Sequence, residues 1–234
     1  MNDDISLLRR YAQERSEDAF AELVRRHLNL VFFAALRQTG GNASLAEDVT
    51  QLVFADLARK ASSLTNRPVL TGWLYTSSRF AALKAWRSER RRQIREQEAY
   101  NMRELTQDSP VADWDRLQPV IDDVLHELDE RDREAVLLRF FEGWSFADLG
   151  AKLAFSEDAA RKRIERALDK MRASLAHRGV KSTAVAIGLA LGNQAGIAAP
   201  AGLAATVTGT ALAGAHGQCG ACGRQGCCEL WLFV

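Results

Sequence analysis

Apolar residues spaced three and four apart, with no period-two alternation in the first half of the chain, restrict the fold more than any other feature. Leu7, Leu8 and Tyr11 begin a stripe that Phe20, Leu23, Val24, Leu28, Val31, Phe32 and Leu36 continue. Such spacing winds apolar side chains onto one helical face and predicts helix over 4–38. Gly40 and Gly41 break the pattern. A further helix is expected from about Ser44, with Leu45, Val49, Leu52, Val53 and Leu57 to one side and Glu47, Asp48, Gln51 and Asp56 opposite. Acids near a helix start suit its dipole, which by itself accounts for Glu47 and Asp48. Asn66-Arg67-Pro68 reads as a turn. The expectation is an all-α fold.

The run from Gly72 to Arg95 carries the first chemical signal. Trp73, Tyr75, Phe80 and Trp86 lie in a helix-compatible stretch that ends in Arg87, Arg90, Arg91, Arg92 and Arg95. Unpaired bases stack on aromatic faces, at about 1–3 kcal/mol per base. Arginines hold the neighbouring phosphates and make binding salt-dependent. An amphipathic helix with aromatic core residues and a solvated basic end would show the same run, so the rest of the chain must decide.

Residues 96–118 change character. Glu96, Glu98, Glu104, Asp108, Asp113 and Asp115 make them acidic, and Pro110 and Pro119 punctuate them. They read as a flexible acidic linker between two helical units. In the second unit, Val120, Val124, Leu125 and Leu128 mark one helix, and Arg133 to Phe141 another. Ser145, with Asp148 three residues on, then forms a capping pattern for a short helix of about Phe146 to Leu153. Ser156 opens the next helix, with Glu157 and Asp158 in its first turn. That helix exposes Arg161, Lys162, Arg163 and Arg166 and turns Ala160, Ile164, Ala167, Leu168 and Met171 inward. Two short helices on a tight turn, the second basic near its start, form the helix-turn-helix that lays a recognition helix in the major groove.

Charge distribution agrees. The net charge is only +1, yet bases cluster at 87–95 and 161–181 while acids hold the start and middle. Two basic patches on a nearly neutral chain suit two sites on one long polyanion. A hydrophobic fraction of 47% with 26% charged residues fits a soluble globular chain. Asp3 and Asp4 stand where a signal peptide would be basic, which makes the cytoplasm the expected compartment. An enzyme is not expected: His27, His126, His177 and His216 are scattered, and neither a phosphate loop nor a nucleophile–base arrangement appears. No cofactor is expected either.

Three segments in order carry a resemblance. LAEDVTQLVFADLAR (45–59), GWLYTSSRFAALKAWRSERRR (72–92) and LDERDREAVLLRFFEGWSFADLGAKLAFSEDAARKRIERALDKMR (128–172) are similar to bacterial RNA polymerase sigma factors of the extracytoplasmic-function (ECF) group, within the sigma-70 family. The resemblance covers about Leu7 to Leu175. It implies a non-catalytic initiation factor with a region 2-like domain (1–95), a linker (96–118), a region 4-like helix-turn-helix domain (119–178) and an extension (179–234). It implies core RNA polymerase, through the beta-prime clamp and beta flap, and promoter DNA as partners, and leaves room for an anti-sigma protein. Glu47, Asp48 and Gln51 would meet the clamp. Trp73, Tyr75, Arg79, Phe80, Lys84, Arg87, Arg90 and Arg91 would work at the minus-ten element. Arg161, Lys162, Arg163 and Arg166 would work at the minus-thirty-five element. Four positions depart from the family pattern. Phe80 stands where Asn is usual, Lys84 where Asp is common, and Leu52 where Glu follows the Gln. Ala154 takes the place of the turn Gly, where a left-handed backbone would strain a side chain. Other readings are a helix-turn-helix regulator acting without polymerase, and a membrane-tethered signalling protein.

The last stretch is the least specific. Residues 182–215 carry no charge and exceed the ~20 residues that span a bilayer, but they are mostly Ala and Gly. A membrane segment and a low-complexity tail both fit. Cys219, Cys222, Cys227 and Cys228 offer a weak zinc site as four thiolates, redox-sensitive thiols, or no role. The adjacent Cys pair is poor geometry for a compact tetrahedral site.

Overall fold

The computed structural model of the chain describes residues 3–67, 69–99, 114–180, 183, 186–188, 191 and 199–217. Among them the helices are α1 (Asp4–Glu14), α2 (Glu17–Gln38), α3 (Ala43–Leu64), α4 (Thr71–Ala99), α5 (Trp114–Glu127), α6 (Glu130–Phe140), α7 (Phe146–Leu153), α8 (Glu157–His177) and α9 (Leu203–Gly217). No strand occurs among the described residues, as the apolar spacing requires.

The helix expected over 4–38 is two helices. Arg15 takes a left-handed backbone (φ 55°), and Ser16 caps α2 by accepting from the Ala19 amide, with Glu17 and Asp18 in the first turn. The stripe hides this break because both helices face one core: the Tyr11 and Phe20 rings lie 4.7 Å apart. Helix α3 opens at Ala43, within a residue of the expected start, and Asn42 caps it, accepting from Leu45 N at 3.0 Å. Helix also overruns both ends of the expected linker, since α4 continues to Ala99 and α5 opens at Trp114. The rest of that segment, 100–113, lies outside the described residues.

The helix-turn-helix forms where its caps stand. The Ser145 hydroxyl accepts from Asp148 N at 3.1 Å and meets the Asp148 carboxylate at 2.6 Å. Ser156 accepts from Ala159 N at 3.2 Å. Between them Ala154 is left-handed, at φ 59° and ψ 44°. The turn folds back so tightly that a Cβ on Gly150 would stand 2.7 Å from the Phe155 carbonyl oxygen.

Phe20, Leu23, Phe54, Leu57 and Leu74 fill the first unit, and Leu125, Leu137, Leu138, Ile164 and Met171 the second. One buried cluster runs through both, so the units pack together. Helix α2 lies at the centre, against α1, α3, α4 and α5, while α4 also meets α6. The uncharged tail does not hang free either. Helix α9 seats Leu203, Val207, Ala211 and Leu212 against α2 and α3. At 15 residues it is about 22 Å long, short of the ~30 Å hydrocarbon core. Among the described residues no helix is long and apolar enough to cross a membrane.

Candidate nucleic-acid and polymerase interface

Helix α3 turns its apolar side onto α2 and α4 and leaves Asp48 and Leu52 outward. Leu52 is 54% exposed, one of few large apolar side chains in that state among the described residues, and Glu47 and Gln51 flank it half-buried. A single exposed leucine is ordinary on a protein surface; what marks this one is its place among Glu47, Asp48 and Gln51.

Helix α4 divides its candidates between two faces. Trp73, Phe80, Lys84, Arg87 and Arg91 recur at seven, four, three and four residues, which lines them up along one side. Trp73 is half-buried on the core at the base of this stripe. Phe80 (49% exposed), Lys84, Arg87 and Arg91 stand outward. The Phe80 ring meets His126 edge-on at 5.8 Å. Trp86 is exposed on an adjoining side. Arg90 lies on the same helix, but its side chain is outside the described ones.

Tyr75 and Arg79 lie on another side of α4 and pair with acids of α5, the helix that Phe80 also touches through His126. Tyr75 is buried, and its hydroxyl donates to Asp122 Oδ1 at 2.9 Å. Asp122 also accepts from Arg37 Nε at 2.7 Å, Arg37 Nη2 at 3.1 Å and Gln38 Nε2 at 3.3 Å. Burial pushes the Tyr75 phenol well up, and the Asp122 carboxylate adds to it, so the hydroxyl stays a neutral donor. Arg79 pairs with Asp123 at 2.7 Å. Sequence reasoning missed Asp122, Asp123 and His126, because an acid and a histidine in a helix of the second unit carry no sign of a partner in the first. In this arrangement Tyr75 is not a free stacking platform.

Helix α8 presents Arg161, Lys162 and Arg166 to solvent. Arg161 lies over the Phe146 ring at 4.8 Å, 3.5 Å from Glu157. Arg163 is drawn inward instead, stacked on Phe155 at 4.7 Å and 3.4 Å from Asp132. The structure therefore groups three of the four basic candidates and makes the fourth a brace. Cys219, Cys222, Cys227 and Cys228 lie outside the described residues. Among those described, no cluster of three metal-ligating side chains occurs.

Comparison with known proteins agrees with this layout. Residues 23–92 match the family described as Sigma-70 region 2, and residues 124–173 match Sigma-70, region 4. The chain is 34% identical over 166 residues to the RNA polymerase sigma factor CarQ of Myxococcus xanthus, covering 68% of this chain and 91% of that one. It is 30% identical over 158 residues to the ECF RNA polymerase sigma factor SigL of Mycobacterium tuberculosis, covering 66% and 87%. A solved structure of the sigma factor RpoE with the anti-sigma factor NepR from Bartonella quintana is 23% identical, covering 67% of this chain and 96% of that one, at a TM-score of 0.30. The two family matches fall on α2–α4 and α5–α8, the helices that carry the basic stripe and the helix-turn-helix. This chain belongs to the ECF group of the sigma-70 family of bacterial RNA polymerase sigma factors.

Proposed function

We propose that this sigma factor, which directs promoter-specific transcription, divides the work among three surfaces. The outer face of α3, with Asp48 and Leu52 flanked by Glu47 and Gln51, docks on the beta-prime clamp of core RNA polymerase. The α4 stripe receives the opened minus-ten strand: Phe80 stacks on an unpaired base, Lys84, Arg87, Arg90 and Arg91 hold phosphates, and Trp73 supports the stripe from the core. Helix α8 enters the major groove of the minus-thirty-five element with Arg161, Lys162 and Arg166, while Arg163 fixes its angle and the rest of the second unit meets the beta flap. Tyr75 and Arg79 reach DNA only after α5 leaves them. The protein does no chemistry of its own and acts in the cytoplasm, where polymerase and promoter are.

Opening a duplex exposes bases, which an aromatic face captures, whereas a closed duplex is read by a groove-filling helix. Joining two modest contacts in one chain raises the second through effective concentration. The observation that carries the reading is the α4 stripe, where a half-exposed phenylalanine stands among outward cations.

Run-off transcription with core polymerase, beginning with DNA upstream of the protein's own gene, tests it. Phe80→Ala is expected to slow strand opening about 5- to 150-fold, the equivalent of ~1–3 kcal/mol of stacking, and to leave duplex binding intact. A protein that binds promoter duplex but is never retained by core enzyme in a pull-down would sink the proposal and favour a regulator acting without polymerase.

A further inference from the structure

The uncharged tail touches both units, in two separate limbs. The first lies on the second unit, where Ile187 and Leu191 are only 2% and 3% exposed. Gly188 sits so near the Phe140 ring that a Cβ there would stand 3.2 Å from Cε1 and 3.3 Å from Cζ, with Leu168 Cδ1 at 4.0 Å. Thr183 caps this limb by accepting from Ala186 N at 3.1 Å. The second limb lies on the first unit. The Ala199 amide donates to Asn29 Oδ1 at 2.9 Å, and α9 follows with its apolar side on α2 and α3.

The seam that these limbs bridge combines apolar packing with polar pairs. Asp122 of α5 holds Arg37 and Tyr75, and Asp123 holds Arg79. Glu142 meets Thr71 and His27, Glu130 pairs with Arg67, and Lys152 with Asp3. Several of these pairs are exposed and singly weak, and a phosphate chain would compete with Asp123 for Arg79. Two apolar limbs on one chain reinforce such a seam, since each limb, once seated, holds the other near its site.

We propose that the C-terminal extension is an intramolecular strap that holds the helix-turn-helix unit closed over the promoter-opening unit, keeping Tyr75 and Arg79 on Asp122 and Asp123 and away from DNA. The masking is one-sided, because Arg161, Lys162 and Arg166 stay exposed in the closed chain. Free protein therefore retains its duplex-reading face and lacks part of its strand-opening face until the strap lifts. The masking step rests on Tyr75 and Arg79 belonging to the minus-ten surface; the strap itself does not.

Two full-length variants act on opposite limbs. Val207→Asp puts a charge at a fully buried position of α9, and Gly188→Leu wedges the first limb off Phe140. Small-angle scattering of the free protein reads closure, against about 18 Å for the radius of gyration of a compact chain of this length. Binding of a single-stranded minus-ten oligonucleotide, with its sequence mapped by run-off transcription, reads masking. Both variants are expected to enlarge the radius and to bind the oligonucleotide about 5- to 150-fold tighter, the range of ordinary coupling between sites. Affinity for the minus-thirty-five duplex should stay unchanged. Unchanged scattering in either variant that keeps its helical signal overturns the strap, so one folded variant suffices. Chains that open yet bind the oligonucleotide no better overturn the masking alone, and transcription by Arg79→Ala then shows whether that residue serves the promoter at all.

Discussion

Ala154 is held left-handed at φ 59° between α7 and α8, where a β-carbon crowds the following backbone. Ala154→Gly is expected to stabilise the chain by about 1 kcal/mol, the relief of strain less the greater freedom glycine has when unfolded. Urea unfolding measures it: an unchanged midpoint would mean that the strain relieved only equals the entropy glycine adds, and a lower midpoint that the turn carries no strain. His27 is a second residue under tension. It is buried, with Asp4 Oδ2 2.9 Å from Nε2 and Glu142 Oε1 3.5 Å from Nδ1. Burial disfavours its charge, as does Arg26, but the two carboxylates prevail and its pKa lies above the ordinary value. The protonated form is thus the one the fold prefers. Its contribution is complete below about pH 6.5 and is lost as pH rises through the higher folded value. Thermal melting should weaken from pH 6 to pH 8 in the native chain and much less in His27→Gln, and parallel slopes would remove His27 as the cause. The strain at Ala154 was readable from the resemblance, which sets a turn glycine at that position. The place of Tyr75 was not, because its partner Asp122 stands 47 residues away across an acidic segment in which one more carboxylate means nothing locally.

Helices were legible wherever their ends carry local chemistry. Ser145 and Ser156 mark α7 and α8 because a serine hydroxyl, an acid in the first turn and the apolar spacing all lie within one turn of each other. The same signal at Ser16 was masked by an apolar stripe that continues on both sides of it. Helix α9 was illegible for another reason: Ala and Gly suit a tail, a weak membrane segment or a close-packed helix equally, and only the surface offered by α2 and α3 decides. Within α8 the four candidate DNA-binding residues should now separate. Arg166→Ala is expected to weaken duplex binding and to lower the salt slope by about one ion. Arg163→Ala, deprived of Phe155 and Asp132, should leave that slope alone and lower the melting temperature instead. The same salt-slope loss in both variants would return Arg163 to the DNA surface.

The molecule as a whole behaves as one body because its polar seam is closed at the centre. Arg37 and Asp122 are both buried, they come from different units, and each has the other as its counter-charge. Burial alone would lower the Arg37 pKa, yet the Asp122 carboxylate keeps it above the ordinary value, so the guanidinium stays charged wherever the protein folds. Removing one member of such a pair costs about 3–5 kcal/mol, because the other charge is left dry, whereas replacing both with apolar groups is often neutral. Asp122→Ala should therefore do more than lower stability. An unpaired Arg37 regains water simply by letting α5 swing away, which separates the units without unfolding either. Native protein is expected to melt in a single transition seen alike by helical signal and by the five tryptophans, among which Trp73 and Trp86 report the first unit and Trp144 the second. In Asp122→Ala the tryptophan and helical curves should part into two steps, and in Arg37→Met/Asp122→Leu they should merge again. A single step that merely shifts downward in Asp122→Ala would mean that the contacts between α4 and α6 hold the units together without the buried pair.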